Sequence, residues 1–364
     1  MKASVITLQS VYNYGTQLQA YATQQKLLEY FDDVEYVNYR RPDTFGSGLI
    51  KLYSNGNPVR FSLFLPTYFK WKKSFGRFQN KYLKIGSKEY VSDEDFEHFE
   101  DKYDVYFSGS DQVWNTGWNN GIIPYFYLSY APDNKPKFAY SSSFGLSKLD
   151  KKDVPEIKRL LSRYNYMSVR EQTGVNIIKN QLGLKNAIQL NDPTLAFDGD
   201  WWRKLKTKNK IKGKYILIYN LNNNPDFDKY AEEAANRTGL KLYRFCTRYD
   251  QIRKNGKSIL VPEVQDFITL IDDAELVITD SFHATALSAN LETNFISLLP
   301  SKYSSRITDF TKMVGLYNRV AKSYDDFSPL DSKADFGKTT AILAKTRAQY
   351  DAFLNKVMED IKHA

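Results

Sequence analysis

The sequence predicts an α/β protein built from two Rossmann-like, doubly wound domains that face each other across a cleft. Three observations carry this. Short apolar runs alternate with helical patterns through both halves of the chain, which is the pattern of strands buried on both faces in parallel sheets. The 364 residues exceed one ordinary domain and suit two. The alternation lapses between Asn191-Asp192-Pro193 and Lys212-Gly213-Lys214, where Trp201-Trp202 and a lysine-rich stretch mark a join.

In the first half, Ser4–Leu8 and Val34–Tyr39 read as strands around a helix at Thr16–Tyr30. Asp104–Phe107, Phe138–Tyr140 and Tyr166–Val169 read as further strands, with helices near Asp153–Ser162 and Glu171–Gln181. In the second half the strands are Tyr215–Tyr219, Lys241–Cys246, Leu276–Thr279 and Phe295–Leu299. Helices near Pro225–Arg237, Val264–Asp272, Ala284–Asn290 and Ser305–Val314 interleave them. The expected domains are therefore 1–190, with an insertion at about 44–88, and 191–335. A last helix within 336–364 is placed to cross back to the first domain.

Composition narrows the function classes. A hydrophobic fraction of 42% can build real cores, and the single cysteine, Cys246, excludes an internal disulfide framework and a cysteine-rich zinc site. Three scattered histidines offer no metal-ligand cluster, so no metal is expected; His98 and His363 read as surface residues. The opening MKASVITLQS is too soon polar for a secretory leader, and no apolar stretch is long enough to span a bilayer, so a cytoplasmic protein is expected. The net charge of +9 is uneven: the segment from Thr44 to Lys88 holds nine basic residues and no acidic one. It includes Phe61–Phe69, bracketed by Arg60 and Lys70-Trp71-Lys72-Lys73. Two readings stand: a helical insertion with a solvated basic face, or a peripheral contact of residues 60–73 with the inner face of the cytoplasmic membrane.

In doubly wound sheets, ligands bind outside the carboxyl ends of strands, so the loops after strands carry the chemistry. The most informative is within Leu276–Asn290, where an apolar strand ends at Thr279-Asp280-Ser281 and a small-residue helix follows at once. Asp280 or Ser281 suits the N-cap, leaving N–H donors and the positive dipole end pointing outward. His283 sits in that first turn, so the segment reads as an anion site with a proton donor attached. The dipole disfavours an imidazolium there, and a bound dianion restores it.

Other loops add candidates. Near the start, Asn13, Gln17 and Gln19 surround Gly15; amides suit sugar hydroxyls, or equally a capped turn. In Ser108-Gly109-Ser110-Asp111-Gln112-Val113-Trp114-Asn115, Asp111 is either a general base or a turn-forming cap, and Gln112, Trp114 and Asn115 suit a sugar. Ser168-Val169-Arg170-Glu171 places an arginine at a strand end, either an anion clamp or a partner for a nearby acid. Asn191-Asp192-Pro193-Thr194 reads as a structural turn, and Arg306, opening a helix after Phe295–Leu299, is a second candidate clamp. There is no G-x-G-x-x-G and no phosphate-binding loop lysine pattern.

Taken in order, these motifs resemble the polysaccharide pyruvyl transferase family. The resemblance rests on Tyr12-Asn13-Tyr14-Gly15-Thr16-Gln17-Leu18-Gln19-Ala20, Ser108–Asn115, Ser168–Glu171, Asn191–Thr194, Asp280-Ser281-Phe282-His283 and Ser305-Arg306, across roughly residues 3–316. It implies a two-domain GT-B-like fold with the acceptor on the N-terminal side and phosphoenolpyruvate on the C-terminal side. The implied reaction forms a pyruvate ketal across two hydroxyls of a sugar in a surface polysaccharide or its lipid-linked precursor, and releases phosphate. Phosphoenolpyruvate is then a co-substrate, and no resident cofactor is implied.

Many relatives have Arg-Leu-His where this chain has Ser281-Phe282-His283. The donor anion then depends on cations from elsewhere: Arg170 and Arg306, with Lys302 behind them, beside Ser281 and Phe282. On this reading His283 is the acid, Asp111 or Glu171 accepts a hydroxyl proton, and Asn13, Gln17, Gln112, Trp114 and Asn115 line the acceptor. One alternative is a GT-B-type glycosyltransferase using a nucleotide sugar. Another is a non-catalytic protein gripping an anionic polymer through its basic surface; the transferase reading expects no nucleic-acid partner.

Overall fold

The computed structural model describes residues 1–299 and 305–363. In chain order the elements are β1 (Lys2–Ile6), α1 (Tyr14–Leu27), β2 (Asp33–Tyr39), α2 (Gly46–Ser54), α3 (Pro58–Tyr82), β3 (Ile85–Tyr90), α4 (Asp93–Glu97) and β4 (Val105–Ser108). Then come β5 (Lys137–Ser142), α5 (Val154–Leu161), β6 (Tyr166–Val169), α6 (Gln172–Asn176), β7 (Ala187–Gln189), α7 (Gly199–Arg203), β8 (Tyr215–Tyr219) and α8 (Pro225–Thr238). The chain continues through β9 (Lys241–Cys246), β10 (Lys257–Leu260), α9 (Asp266–Asp272), β11 (Leu276–Thr279) and α10 (Phe282–Asn290). It closes with β12 (Phe295–Leu298), α11 (Ser305–Met313), β13 (Val320–Ala321) and α12 (Gly337–Lys362).

Two compact units result. The first contains Met1–Leu49, Gln79–Ala196 and the chain from Thr346 onward; the second contains Ile50–Phe78 and Phe197–Lys345. The division differs from the one expected from sequence, because most of the basic insertion belongs to the second unit. The reason is local packing. Phe64, Thr67, Tyr68, Trp71, Ser74, Phe75 and Phe78 recur at helical spacing and are buried. Trp71 Nε1 donates to the Thr247 carbonyl (2.7 Å), and Ser74 Oγ donates to the Pro262 carbonyl (3.1 Å).

Each unit is one wholly parallel sheet, as the apolar runs predict. The first has the order β3-β2-β1-β4-β5-β6-β7 and the second β10-β9-β8-β11-β12-β13. Registers such as Ala3 with Val105, and Val277 with Leu217, place central strands side by side with every residue buried in β4, β8, β11 and β12. Helices pack on these sheets: Leu160, Leu161 and Ile157 of α5 join Ile6, Tyr106 and Trp114, while Phe227, Tyr230 and Ala231 of α8 join Ile216, Ile218 and Ile278. Each buried Leu, Ile or Phe among these contributes about 1.5–3 kcal/mol. Among the described residues no helix is long and apolar enough to cross a membrane.

Strand order reverses direction between β1 and β4 in the first unit and between β8 and β11 in the second. Such a topological switch point opens a crevice at the carboxyl ends of the strands. Both crevices are bordered by loops that the sequence marks as chemically rich.

Candidate active site

In the first unit the switch-point loops follow β1 and β4. Asn13 caps α1, its side-chain oxygen accepting from the Thr16 N–H (3.1 Å). Thr16 Oγ1 in turn donates to Asp111 Oδ2 (3.0 Å), tying the start of α1 to the loop after β4. Asp111 has φ +78°, which Asp tolerates better than most residues, and its Oδ1 accepts from the Gln112 N–H (2.8 Å). Gly109, at φ +110°, must be glycine: a Cβ there would lie 2.6 Å from Ser142 Oγ and from the Tyr140 carbonyl oxygen.

Several candidate residues prove to build this loop. Trp114 is fully buried, packs on Tyr127, Phe144 and Tyr164, and donates from Nε1 to the Phe126 carbonyl (3.0 Å). It is core and offers no face to a sugar. Asn115 is likewise buried; its Oδ1 accepts from the N–H groups of Gly117 (3.1 Å) and Trp118 (3.0 Å), and its Nδ2 donates to Gln112 Oε1 (2.7 Å). Gln17 is buried and spends its amide N–H groups on the carbonyls of Gln9 (2.8 Å) and Val11 (2.9 Å). Asn13 and Gln112 remain part-exposed at the crevice.

Arg170 is also corrected. Its guanidinium is buried, donates to Ser110 Oγ (2.8 and 3.0 Å), and pairs with Asp192 Oδ2 (2.6 Å) and Asp111 Oδ1 (3.4 Å). Burial works against its charge, but Asp192 and Asp111 outweigh that and leave it more basic than usual. Its charge is already matched by carboxylates, so it is not a spare clamp for a phosphate. Asp192 shows why the Asn191–Thr194 turn reads as structural: its Oδ1 accepts from the Thr194 N–H (2.9 Å), and its carbonyl accepts from Tyr350 Oη of α12 (2.7 Å). Glu171, just before α6, is part-exposed and accepts from Ser143 Oγ at 2.9–3.0 Å.

In the second unit the switch-point loops follow β8 and β11. Thr279 Oγ1 donates to the Tyr219 carbonyl (2.9 Å) and accepts from the Ser281 N–H (3.0 Å), fixing the turn. Ser281 is the N-cap of α10, its hydroxyl accepting from the Ala284 N–H (3.4 Å), while Thr285 Oγ1 donates back to the Ser281 carbonyl (2.9 Å). Ala284, Ala286, Ser288 and Ala289 are all buried, so α10 lies close against the sheet.

Asp280 is buried and accepts from the N–H groups of Leu221 (2.6 Å) and Asn222 (3.0 Å) and from Asn222 Nδ2 (2.7 Å). Burial raises its pKa, against those hydrogen bonds. His283 follows Phe282 in the first turn, part-exposed, its ring 5.4 Å from the Phe282 ring. The Arg306 guanidinium, at the start of α11, lies 5.7 Å from the same Phe282 ring. The Phe282 ring at the Ser281-capped helix start thus has an imidazole (5.4 Å) and a guanidinium (5.7 Å) each beside it. Lys302 lies outside the described residues.

Sequence reasoning passed over Asn222, and with it the Asn220-Leu221-Asn222-Asn223-Asn224 run that opens the loop after β8. Asn220 Nδ2 donates to Asp228 Oδ1 (3.0 Å), which also meets Arg244 Nη2 (2.7 Å). The available signal was an asparagine-rich run immediately after an apolar strand.

A family model for polysaccharide pyruvyl transferases matches residues 13–302. The chain belongs to that family. Asn13, the Asp111, Arg170 and His283 loops and the whole of the second switch point fall inside the matched span of this pyruvyl transferase family member, while β1 precedes it and Arg306 follows it. No curated protein sequence matches the chain. Among solved structures, the chain is similar to a UDP-GlcNAc 2-epimerase from Methanocaldococcus jannaschii in complex with UDP-GlcNAc and UDP. The identity is 13%, 96% of this chain and 99% of that one are covered, and the TM-score is 0.51. It is also similar to the UDP-GlcNAc 2-epimerase from Neisseria meningitidis bound to UDP-GlcNAc (11% identity, 96% and 100% covered, TM-score 0.47). A third is the E. coli heptosyltransferase with ADP (11% identity, 91% and 97% covered, TM-score 0.42). At these identities the likeness concerns the fold, two parallel α/β domains of the GT-B kind.

Proposed function

We propose that this family member transfers the pyruvyl group of phosphoenolpyruvate onto two hydroxyls of one sugar in a surface polysaccharide or its lipid-linked precursor. The observation that carries the reading is the start of α10, inside the matched span, where Ser281 caps the helix and His283 and Arg306 each lie beside the Phe282 ring. A helix N-terminus and a guanidinium suit the phosphate and carboxylate of the donor.

The reaction needs little else. A proton delivered to C3 of the enol phosphate leaves an oxocarbenium-like centre at C2. One sugar hydroxyl adds there, the C2–O bond to phosphate breaks, and the second hydroxyl closes the ketal. Of the two hydroxyl protons lost, one balances the proton placed on C3 and the other leaves with phosphate. His283 is the proposed acid, and Asp111 or Glu171 the base. Glu171 is the more exposed of the two carboxylates; Asp111 already serves Thr16 and Arg170. Asn13 and Gln112 are the acceptor contacts that remain on the crevice. No resident cofactor or metal enters the scheme.

The test is a thermal-shift comparison of phosphoenolpyruvate with several nucleotide sugars, followed by phosphate release with candidate diol acceptors. A ligand at 100 times its dissociation constant adds about 2.7 kcal/mol of stability. Stabilisation by phosphoenolpyruvate with acceptor-dependent phosphate release supports the reading. Stabilisation by a nucleotide sugar alone replaces it with glycosyl transfer.

A further inference from the structure

We propose that the α2–α3 hairpin tip is a docking surface for a bilayer bearing anionic headgroups. The inference does not depend on the reaction proposed above. One face of α3 is fixed: besides the Trp71 and Ser74 bonds, Thr67 Oγ1 accepts from the Tyr249 N–H (3.1 Å), and Lys70 and Arg77 pair with Glu263. Tyr53 of α2 stacks on Phe64 (4.5 Å between centroids), joining the two helices. The hairpin is thus held in place by its inner face.

Its outer face is unusual. Leu52, Val59, Leu63 and Phe69 are between 62% and 68% exposed, and Tyr53 and Phe61 also lie open. Six of the thirteen exposed large apolar residues among those described fall within residues 52–69. Lys51, Arg60, Lys72 and Lys73 are exposed alongside them, and no acidic residue occurs from Thr44 to Lys88. A run of exposed apolar side chains interspersed with exposed cations asks for an occupant that is both apolar and negative.

Charge complementarity selects among occupants. A second copy of the chain would oppose Arg60, Lys72 and Lys73 with the same cations, and Asp250, the carboxylate that lies beside Arg60 and Leu63, is already held by Arg248 (3.0 Å). A nucleic acid would satisfy the cations and leave Leu52, Val59, Leu63 and Phe69 in water. A bilayer with anionic headgroups satisfies both sets, the apolar tip entering the acyl boundary while the lysines and Arg60 meet phosphates.

The experiment is co-sedimentation of the full chain with vesicles of phosphatidylcholine alone and of phosphatidylcholine mixed with phosphatidylglycerol. Binding is expected to the anionic vesicles and to fall with salt. Lys72→Gln with Lys73→Gln should weaken it about fivefold for each charge removed. Leu52→Ser with Leu63→Ser should weaken it further, with an unchanged circular dichroism spectrum because both side chains are exposed. In Leu63→Trp, whose new indole reports its surroundings beside the native ones, emission should gain a blue-shifted component with anionic vesicles and not with neutral ones. Wild-type protein left in the supernatant, equal binding by the variants, or self-association abolished by the serine substitutions would each overturn the proposal.

Discussion

The Asp280 carboxylate holds Asn222 twice, by its backbone N–H (3.0 Å) and its side-chain Nδ2 (2.7 Å), and so joins the loop after β8 to the helix start that carries His283. The last residue before the N-cap thereby fixes the opposite wall of the second crevice. Asp280→Ala removes the acceptor for three donors, two from Asn222 and one from Leu221. Urea unfolding should show a loss of about 1–3 kcal/mol, moderated because the donors reach water. Asp280→Asn should recover only part of it, since its amide turns an N–H group toward donors. Both variants should also raise the phosphoenolpyruvate concentration needed for half-saturation.

His283 is part-exposed at the second position of α10, so His283→Ala leaves no buried cavity. A positioned acid is worth about 10²–10⁴-fold, and turnover should fall by that factor with an unchanged melting temperature. His283→Gln, which can donate a hydrogen bond but cannot deliver a proton at neutral pH, should be nearly as inactive. Near-normal turnover in either variant would remove His283 from the mechanism.

The strands Tyr166–Val169, Tyr215–Tyr219, Lys241–Cys246 and Leu276–Thr279 coincide with the structure, because most of their residues are apolar and buried on both sides of a parallel sheet. Edge strands gave no such signal. β3 (IGSKEY) and β10 (KSIL) expose part of their length and mix charged with apolar residues. The insertion lacked a clean helical period in sequence because both its faces carry large apolar residues, Phe64 and Trp71 inward, Val59 and Phe69 outward. Around the candidate site, the Ser281 cap and the place of His283 in the first turn of α10 were legible because capping is local. Arg170 and Trp114 were not: their partners Ser110, Asp192 and Phe126 come from other segments, and residue type alone does not distinguish a buried guanidinium or indole from a binding one.

Arg170 can be separated from a phosphate clamp by measurement. Removing one member of a buried ion pair costs about 3–5 kcal/mol, because the other charge stays buried. Arg170→Met deprives buried Asp192 of its 2.6 Å partner, so chemical denaturation should show a loss of that order. A clamp would instead raise KM for the donor while leaving stability intact. That second pattern would restore Arg170 to the donor site.

Lys137 opens β5 with almost no exposed surface, and its ammonium donates to the carbonyls of Lys135 (2.8 Å) and Pro132. Burial pushes it down to about 8, and the nearby charge of Arg163 adds to the effect. In the unfolded chain the group titrates near its ordinary value of about 10.4. Between these values the unfolded state binds more protons than the folded one, so this group's contribution to stability increases as pH rises. Below about pH 8 both states are protonated, and the cost of the buried charge is fully present. Lys137→Met carries no charge to bury, and its stability lacks this term. Urea unfolding of both proteins at about pH 7.5 and about pH 9.5 should therefore show wild type gaining on Lys137→Met at the higher pH. The raised tyrosine titrations are common to both proteins and cancel in the difference. A difference that stays flat or reverses would mean that the two carbonyls solvate the ammonium well enough to keep its ordinary pKa.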